Sequence, residues 1–505
     1  MIRLNLTCIA IAMTCVSTTY AGGLLTNTNQ NIAFNRNMAR DGAIGIDGVY
    51  SNPAGVAFLS NGLHLSFNFQ NVYQTRMIES SITVPSLKGS PYYQPFKLNG
   101  GDENGIKEFK GKASVPILPS FQAALNYDKW GFQMGFALNG GGGKATFNHG
   151  LGSFEREISM IPALLYSQGI TSTTLGYGVD SYLNGQQYVF GVQLGATYKI
   201  NEHMAVYGGL RFNYVWNKYE GSITDIRAKI NGNDEKLYTY FNKQAETYKD
   251  MAFYYKMRAT EITDADMKAK YQQMAAQYNA GAEQLSKTGD RFADKHLDCT
   301  QEGWGVTPII GFDFKYGKWN VGTRLEFNTH LNIENHTKRD DTELFQDGVN
   351  TPNDLPGIWT LGAQYSVLPN LRVMGSYHYY FDKSAKMAND KQTKLGGNTQ
   401  EYLVGVEWDI NKNVLVSAGM QRTKYSLGDG SYLTDMSFVT SSYSVGFGAS
   451  FRVMKNARLN VAYFWTNYDH FNKVYTQKVG GIDAENTDNF YRTNKVFGVG
   501  LDIDL

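Results

Sequence analysis

Charge is scarce in this sequence and almost perfectly balanced. Only 18% of its 505 residues are Asp, Glu, Lys or Arg, with 47 basic against 46 acidic. Soluble domains usually carry about 25%. A net charge of +1 supplies no basic field of the kind that nucleic acid requires. Proline is rare, with 11 in all. No long uncharged apolar run follows residue 20, which excludes a membrane protein built from helices. Cysteine numbers three, and Cys8 and Cys15 stand in the first stretch. The remainder then has Cys299 alone and can form no internal disulfide. Glycine is plentiful, at 53, and aromatics reach 14%, with 34 Tyr and 28 Phe. A mean hydropathy of −0.37 leaves a barrel open, because its lipid-facing residues alternate with polar ones.

The first residues read as an export signal. Met1-Ile2-Arg3 is a short basic start, Leu4 to Val16 is mostly apolar, and Thr19-Tyr20-Ala21 ends in a small residue. This predicts a secretory signal peptide over residues 1–21, cleaved after Ala21. A lipoprotein signal at Cys15 is the weaker alternative, since Ala12-Met13-Thr14 lacks leucine three positions before the cysteine. Export without disulfides suits a bacterial envelope protein.

From residue 62 on, one pattern returns. Leu63, Leu65, Phe67 and Phe69 alternate with His64, Ser66, Asn68 and Gln70; Trp319, Val321, Thr323, Leu325 and Phe327 alternate with Asn320, Gly322, Arg324 and Glu326. A period of two means strand, with successive side chains on opposite faces. Fourteen segments follow it: 62–72, 119–127, 130–139, 187–199, 204–215, 304–316, 319–328, 357–367, 371–381, 401–410, 413–421, 442–453, 458–467 and 495–505. Six connections are tight, among them Asp128-Lys129, Gly317-Lys318 and Pro369-Asn370, and they alternate with long ones. Strict short–long alternation predicts an outer-membrane barrel with short periplasmic turns, long outside loops and, from the even count, both termini in the periplasm. Closure follows from energetics, since an unpaired backbone amide in hydrocarbon costs several kcal/mol. The expected fold is thus all-β: a 14-stranded antiparallel transmembrane β-barrel over 62–505, preceded by residues 22–61. Tryptophan and tyrosine would form interfacial girdles.

Residues 42–55 are small, Gly-rich and uncharged except for Asp47, and they end in Asn52-Pro53-Ala54-Gly55. Pro53 fixes φ and biases Asn52 away from helix; Asn52 can bond local backbone. The segment resembles the N-terminal hatch of the FadL family of outer-membrane long-chain fatty-acid transporters, in which an Asn-Pro-Ala triplet follows a small-residue stretch just before strand one. The resemblance implies a hatch over 22–61 that plugs the barrel. It also implies passive uptake of hydrophobic small molecules, long-chain fatty acids above all, taken from the lipopolysaccharide surface and released when the hatch shifts. In that family strand three is kinked and opens sideways towards the membrane. Gly140, Gly141, Gly142 and Gly143 lie close to that place. The sequence departs from better-known members in ending on Leu505 and in an 88-residue connection, 216–303.

That connection carries its own periodicity. Residues 234–286 lack proline and repeat apolar residues at four-three spacing, from Phe241 and Ala245 to Tyr278 and Leu285. This predicts a helical hairpin in the outer loop, restarting at a Thr263–Asp266 capping box. Its aromatic stripe is either its own core or a docking surface for an apolar ligand or a partner protein. The resemblance implies a competing function, since barrels of the FadL family also serve protein secretion as scaffolds; this loop would then be the docking element. A small-solute porin is the third reading.

Nothing argues for catalysis or a cofactor. Gly140-Gly141-Gly142-Gly143-Lys144-Ala145 lacks the first Gly and the Ser or Thr of a phosphate loop. His330, Glu334 and His336 make only a weak metal cluster, and no metal site is expected. On the lumen parity, Arg211 and Arg324 fall near mid-strand and Arg372 nearer the periplasmic end, with Glu326, Glu401 and Glu407 as available partners. Arg211, Arg324, Arg372 and Glu326 are the ligand-binding candidates, since arginine pairs with carboxylates in bidentate fashion. The alternative is internal pairing that stiffens the barrel.

Overall fold

The computed structural model describes residues 26–28, 31–173, 175–479 and 481–505. The expected signal peptide, 1–21, and the first expected hatch residues, 22–25, lie outside the described residues. Fourteen long strands close into one antiparallel ring. They are β1 (Gly62–Thr83), β2 (Ile106–Tyr127), β3 (Trp130–Phe147), β4 (Tyr177–Lys199), β5 (Met204–Ile230), β6 (Lys295–Tyr316) and β7 (Trp319–Glu326). They continue as β8 (Ile358–Leu368), β9 (Leu371–Tyr380), β10 (Gln400–Asn411), β11 (Val414–Lys424), β12 (Ser442–Met454), β13 (Ala457–Tyr468) and β14 (Ile482–Asp504). Each pairs with its chain neighbour, and β1 pairs with β14 from His64↔Asp504 to Thr83↔Glu485.

The wall is inverted relative to a soluble protein. Phe67, Phe69, Phe132, Phe212 and Phe497 are exposed, while Ser66, Asn68, Gln122, Gln133, Gln193 and Arg211 are buried. Lipid outside and polar contents inside satisfy both sets. Trp130, Trp319 and Trp408 stand exposed beside short turns, and Trp359 and Trp465 near the opposite end. Trp130 packs on Tyr198 at 4.8 Å and Trp319 on Tyr365 at 4.6 Å between ring centres. Two aromatic belts thus bracket the apolar band.

Seven strands run eight or more residues further towards the long-loop end than their alternation predicts; β1 reaches Thr83 rather than residue 72, and β14 starts at Ile482 rather than 495. There the inner residues no longer face a polar plug. Ile78, Ile82, Phe109, Phe147 and Phe490 pack against Phe96, Leu151, Leu433 and Phe438 of the loops. The result is an apolar dome over that end of the ring, with no polar–apolar alternation to betray its strands.

Inside the ring lies segment 31–58, with α1 (Ile32–Arg36), α2 (Gly48–Ser51) and a 3-10 turn, Gly55–Phe58. The dome includes two short helices, α3 (Gly152–Ser159) and α4 (Ile161–Ser167). The longest loop forms the expected hairpin, as α5 (Leu237–Glu261) and α6 (Ala265–Arg291). Buried Ala245, Ala252 and Ala259 recur every seven residues against Ala275 and Ala282, and Tyr248 and Tyr255 pack on Tyr271 and Tyr278. Towards its tip the stripe is the hairpin's own core; at its base Phe241, Ala245 and Leu285 pack against Ile161 and Leu165 of α4, Tyr177 of β4 and Ile226 of β5. The restart is one residue off the expected box: Asp264, not Thr263, caps α6, accepting from the Met267 amide at 2.9 Å. A carboxylate is the stronger acceptor at that terminus.

Candidate functional site

The inner segment is fitted to the wall by hydrogen bonds around the ring. Asn31 caps α1 and donates to Ser66 at 3.1 Å and Gln122 at 2.9 Å. Asn35 donates to Gln70 at 3.0 Å. Asn52 donates to the Asp313 carboxylate of β6 at 2.6 Å and to the Ala43 carbonyl at 3.1 Å, and its own oxygen receives the Gly55 amide at 3.2 Å. Gln133 of β3 donates to the Pro53 carbonyl and Gln193 of β4 to the Val49 carbonyl, each at 2.7 Å. Ala54 is fully buried against Tyr207 and Ile309. Gly42 runs so close to β8 that a side chain there would overlap the Ala363 backbone. An unpaired buried polar group costs roughly 1–3 kcal/mol, so a polar lumen and this plug stabilise each other.

Ions reinforce the fit. Arg36 and Arg40 converge on Glu407 of β10 at 3.1 and 2.7 Å, and Arg40 also pairs with Asp47 through bonds of 2.7 and 2.9 Å. His378 of β9 lies 2.8 Å from both Asp41 and Glu401. Arg211 pairs with Glu326 and donates to Gln193, and Arg324 lies 3.3 Å from the same glutamate. Both guanidiniums stack on the ring of Tyr50, at 4.7 and 5.2 Å. Arg372 sits apart, 2.7 Å from Asp409 and 3.5 Å from Glu407.

Between β2 and β3 the wall is unzipped over a stretch. β2 and β3 pair at Lys112↔Thr146 and not again until Phe121↔Phe136. Pro116 and Pro119 fall in this interval of β2 and have no N–H to give. Across from them Gly141 and Gly143 take φ of 95° and 69°, and the β3–β4 register slips on both sides of Gly140. Left-handed backbone of this kind suits glycine. Residues 26–28 lie against the break: Thr26 bridges Gly140, and the Asn27 amide donates to the Asn139 carbonyl at 2.8 Å.

Behind the seam is a chamber of about 140 Å³ between plug and dome. Ala113, Val115 and Leu118 line it from β2, and Leu138, Gly141 and Gly143 from β3, so both seam margins form its wall. Phe34, Val72 and Phe464 add apolar surface, and Arg492 reaches it from β14.

No family model matches the sequence, and no curated protein matches it. Solved structures do. A FadL homologue from Pseudomonas aeruginosa superposes with a TM-score of 0.59, covering 96% of this chain and 100% of its own, at 10% identity. The chain has the FadL fold. The TodX deltaS2S3 mutant, described as a monoaromatic hydrocarbon channel, gives 0.51 over 94% of this chain and 99% of its own, at 13% identity.

In this FadL-like barrel the sequence-derived candidates separate into three places. Asn52, Pro53, Ala54 and Gly55 join plug to wall. Gly140, Gly141, Gly142 and Gly143 form the β3 margin of the seam. Arg211, Arg324 and Glu326 form one cluster under Tyr50, and Arg372 lies outside it. His330 contacts Asp354 at 2.9 Å. Sequence reasoning missed the opposite margin of the seam, although two of the 11 prolines within four residues were a signal. It also missed Gln133, Gln193 and His378, which give no signal beyond lumen parity, and Arg492, which fell in a stretch read as loop.

Proposed function

We propose that this chain is a bacterial outer-membrane channel for passive uptake of hydrophobic small molecules, with residues 22–61 as its hatch, both termini periplasmic and the long loops outside. The observation that carries the reading is the chamber whose wall includes both margins of the β2–β3 seam. A ligand entering through the loop dome would rest there and leave sideways into the membrane once residues 26–28 withdraw from Gly140. Arg211, Arg324 and Glu326 then hold the hatch rather than the ligand.

The resemblance in sequence implies long-chain fatty acids. A chamber of about 140 Å³ favours something more compact, because cavities near 150 Å³ hold benzene and drug-sized ligands occupy about 300–1,000 Å³. One structure of the same fold is described as a monoaromatic hydrocarbon channel, which supports a ligand of one ring.

The test is uptake. Cells expressing the chain should accumulate radiolabelled toluene faster than cells without it, and equal rates would contradict the proposal. Deleting residues 22–55 should raise conductance in planar bilayers; unchanged conductance would remove the hatch from the account. The secretion-scaffold reading is supported by Phe253, Tyr254 and Met257, which stand exposed on α5.

A further inference from the structure

Arginine is buried at several places in this barrel, and almost everywhere it has a carboxylate. Arg36, Arg40, Arg156, Arg211 and Arg324 each contact one. Arg492 of β14 is only 5% exposed, yet among the described residues no carboxylate pairs with it. Its Nη1 donates to the Phe438 carbonyl at 3.4 Å and its Nη2 to Gln74 at 3.3 Å. Both exceed the usual ~2.7–3.2 Å. Its Nε has no hydrogen-bond partner. The guanidinium stacks on Tyr468 at 4.4 Å and lines the chamber. Arg76 stands directly across the ladder in β1 and adds a second positive centre on that side. Like charges set opposite each other on paired strands are unfavourable by themselves.

Glu401 also borders the chamber, but its oxygens are taken up by His378, Tyr380, Gln421 and Thr423. The chamber is therefore asymmetric, with Phe34, Val72, Leu118 and Phe464 as apolar wall and an under-used cation at Arg492. A hydrocarbon filling this space leaves Nε without an acceptor. A carboxylate brings two oxygens to a planar fork that matches them.

We propose that the chamber accepts a compact amphipathic carboxylate, one aromatic ring bearing an acid group, with the carboxylate on Arg492 and the ring among the apolar side chains. The proposal rests on the uptake reading above and names the chemistry that its chamber selects. Benzoate and methyl benzoate are suitable probes, since they share ring and size and differ in charge. Equilibrium dialysis with the purified, detergent-solubilised protein should show wild type binding benzoate about tenfold or more tightly than the ester, the scale of one charge-assisted hydrogen bond. R492M should lose that preference while still binding the ester, and R492K should keep part of it. Heat-modified gel mobility reports whether each variant has folded. If R492M does not fold, the wild-type comparison of acid with ester decides. Equal binding of the two by wild type, or an acid preference that survives in folded R492M, overturns the carboxylate proposal alone. Binding of neither probe overturns it together with the chamber reading.

Discussion

Arg211 meets Glu326 through two parallel hydrogen bonds, Nη1 to Oε2 at 2.5 Å and Nη2 to Oε1 at 3.0 Å. The same carboxylate lies 3.3 Å from Arg324, so one glutamate serves two buried cations. Removing one partner of a buried ion pair costs about 3–5 kcal/mol, because it leaves charge without compensation. E326Q should therefore lower the urea midpoint of the detergent-folded barrel well below wild type. An unchanged midpoint would mean that the cluster contributes nothing to stability. A folded R211M should bind ligand as tightly as wild type does; lost binding would make Arg211 a ligand anchor.

Lys391 is buried in the connection between β9 and β10. Burial, and then the neighbouring Lys394 and Lys473, push its ammonium down to about 8, against an ordinary value of about 10.4. Between these values the folded dome has released a proton that the unfolded chain still holds. Stability therefore rises with pH through that window and is lowest below about 8. Urea midpoints taken from pH 7 to 10 should climb more steeply for wild type than for K391M, which removes the titrating group. Parallel slopes would show that Lys391 is charged at no cost where it stands.

The α5–α6 hairpin packs mainly on itself, through its tyrosines and alanines. Replacing residues 237–291 with a short linker should leave a heat-modifiable barrel that inserts into membranes, because these helices lie in a loop. Failure to insert would contradict the loop assignment. Toluene uptake at the wild-type rate in the deleted protein would mark the hairpin as a surface or partner element. Lost uptake would place it in the ligand path.

The barrel was legible because a membrane imposes strict rules. Lipid on one side and a polar inner segment on the other force alternation, and each of the fourteen segments found that way falls on a strand, overrunning its ends by two residues at most. The rule lapses at the loop end, where Ile78, Phe109 and Phe490 face an apolar dome; strands there continue without alternating and read as loop. The turn at Asn52-Pro53 was legible for a different reason. Asn52 and Pro53 are turn residues, and their chemistry is local. The partners of that motif were not legible, since Asp313 and Gln133 reach it from 261 and 80 residues away. The seam was half visible. Glycines of β3 pointed to it, while Pro116 and Pro119 of β2 were absorbed into a connection and the start of a strand.

The seam also offers the most direct test of transport. A side chain at Gly143 would lie 3.5 Å from Val115 Cγ2, so the two positions face each other across the margins, and a cross-link between cysteines there carries the strain of a side chain at φ 69°. The native Cys299 is buried and apart from it. Cells carrying V115C/G143C should accumulate radiolabelled toluene slowly when oxidised, and should recover the wild-type rate when a reductant opens the bond. Equal rates in the oxidised and reduced states, with the cross-link verified by mass spectrometry, would contradict passage through the β2–β3 seam.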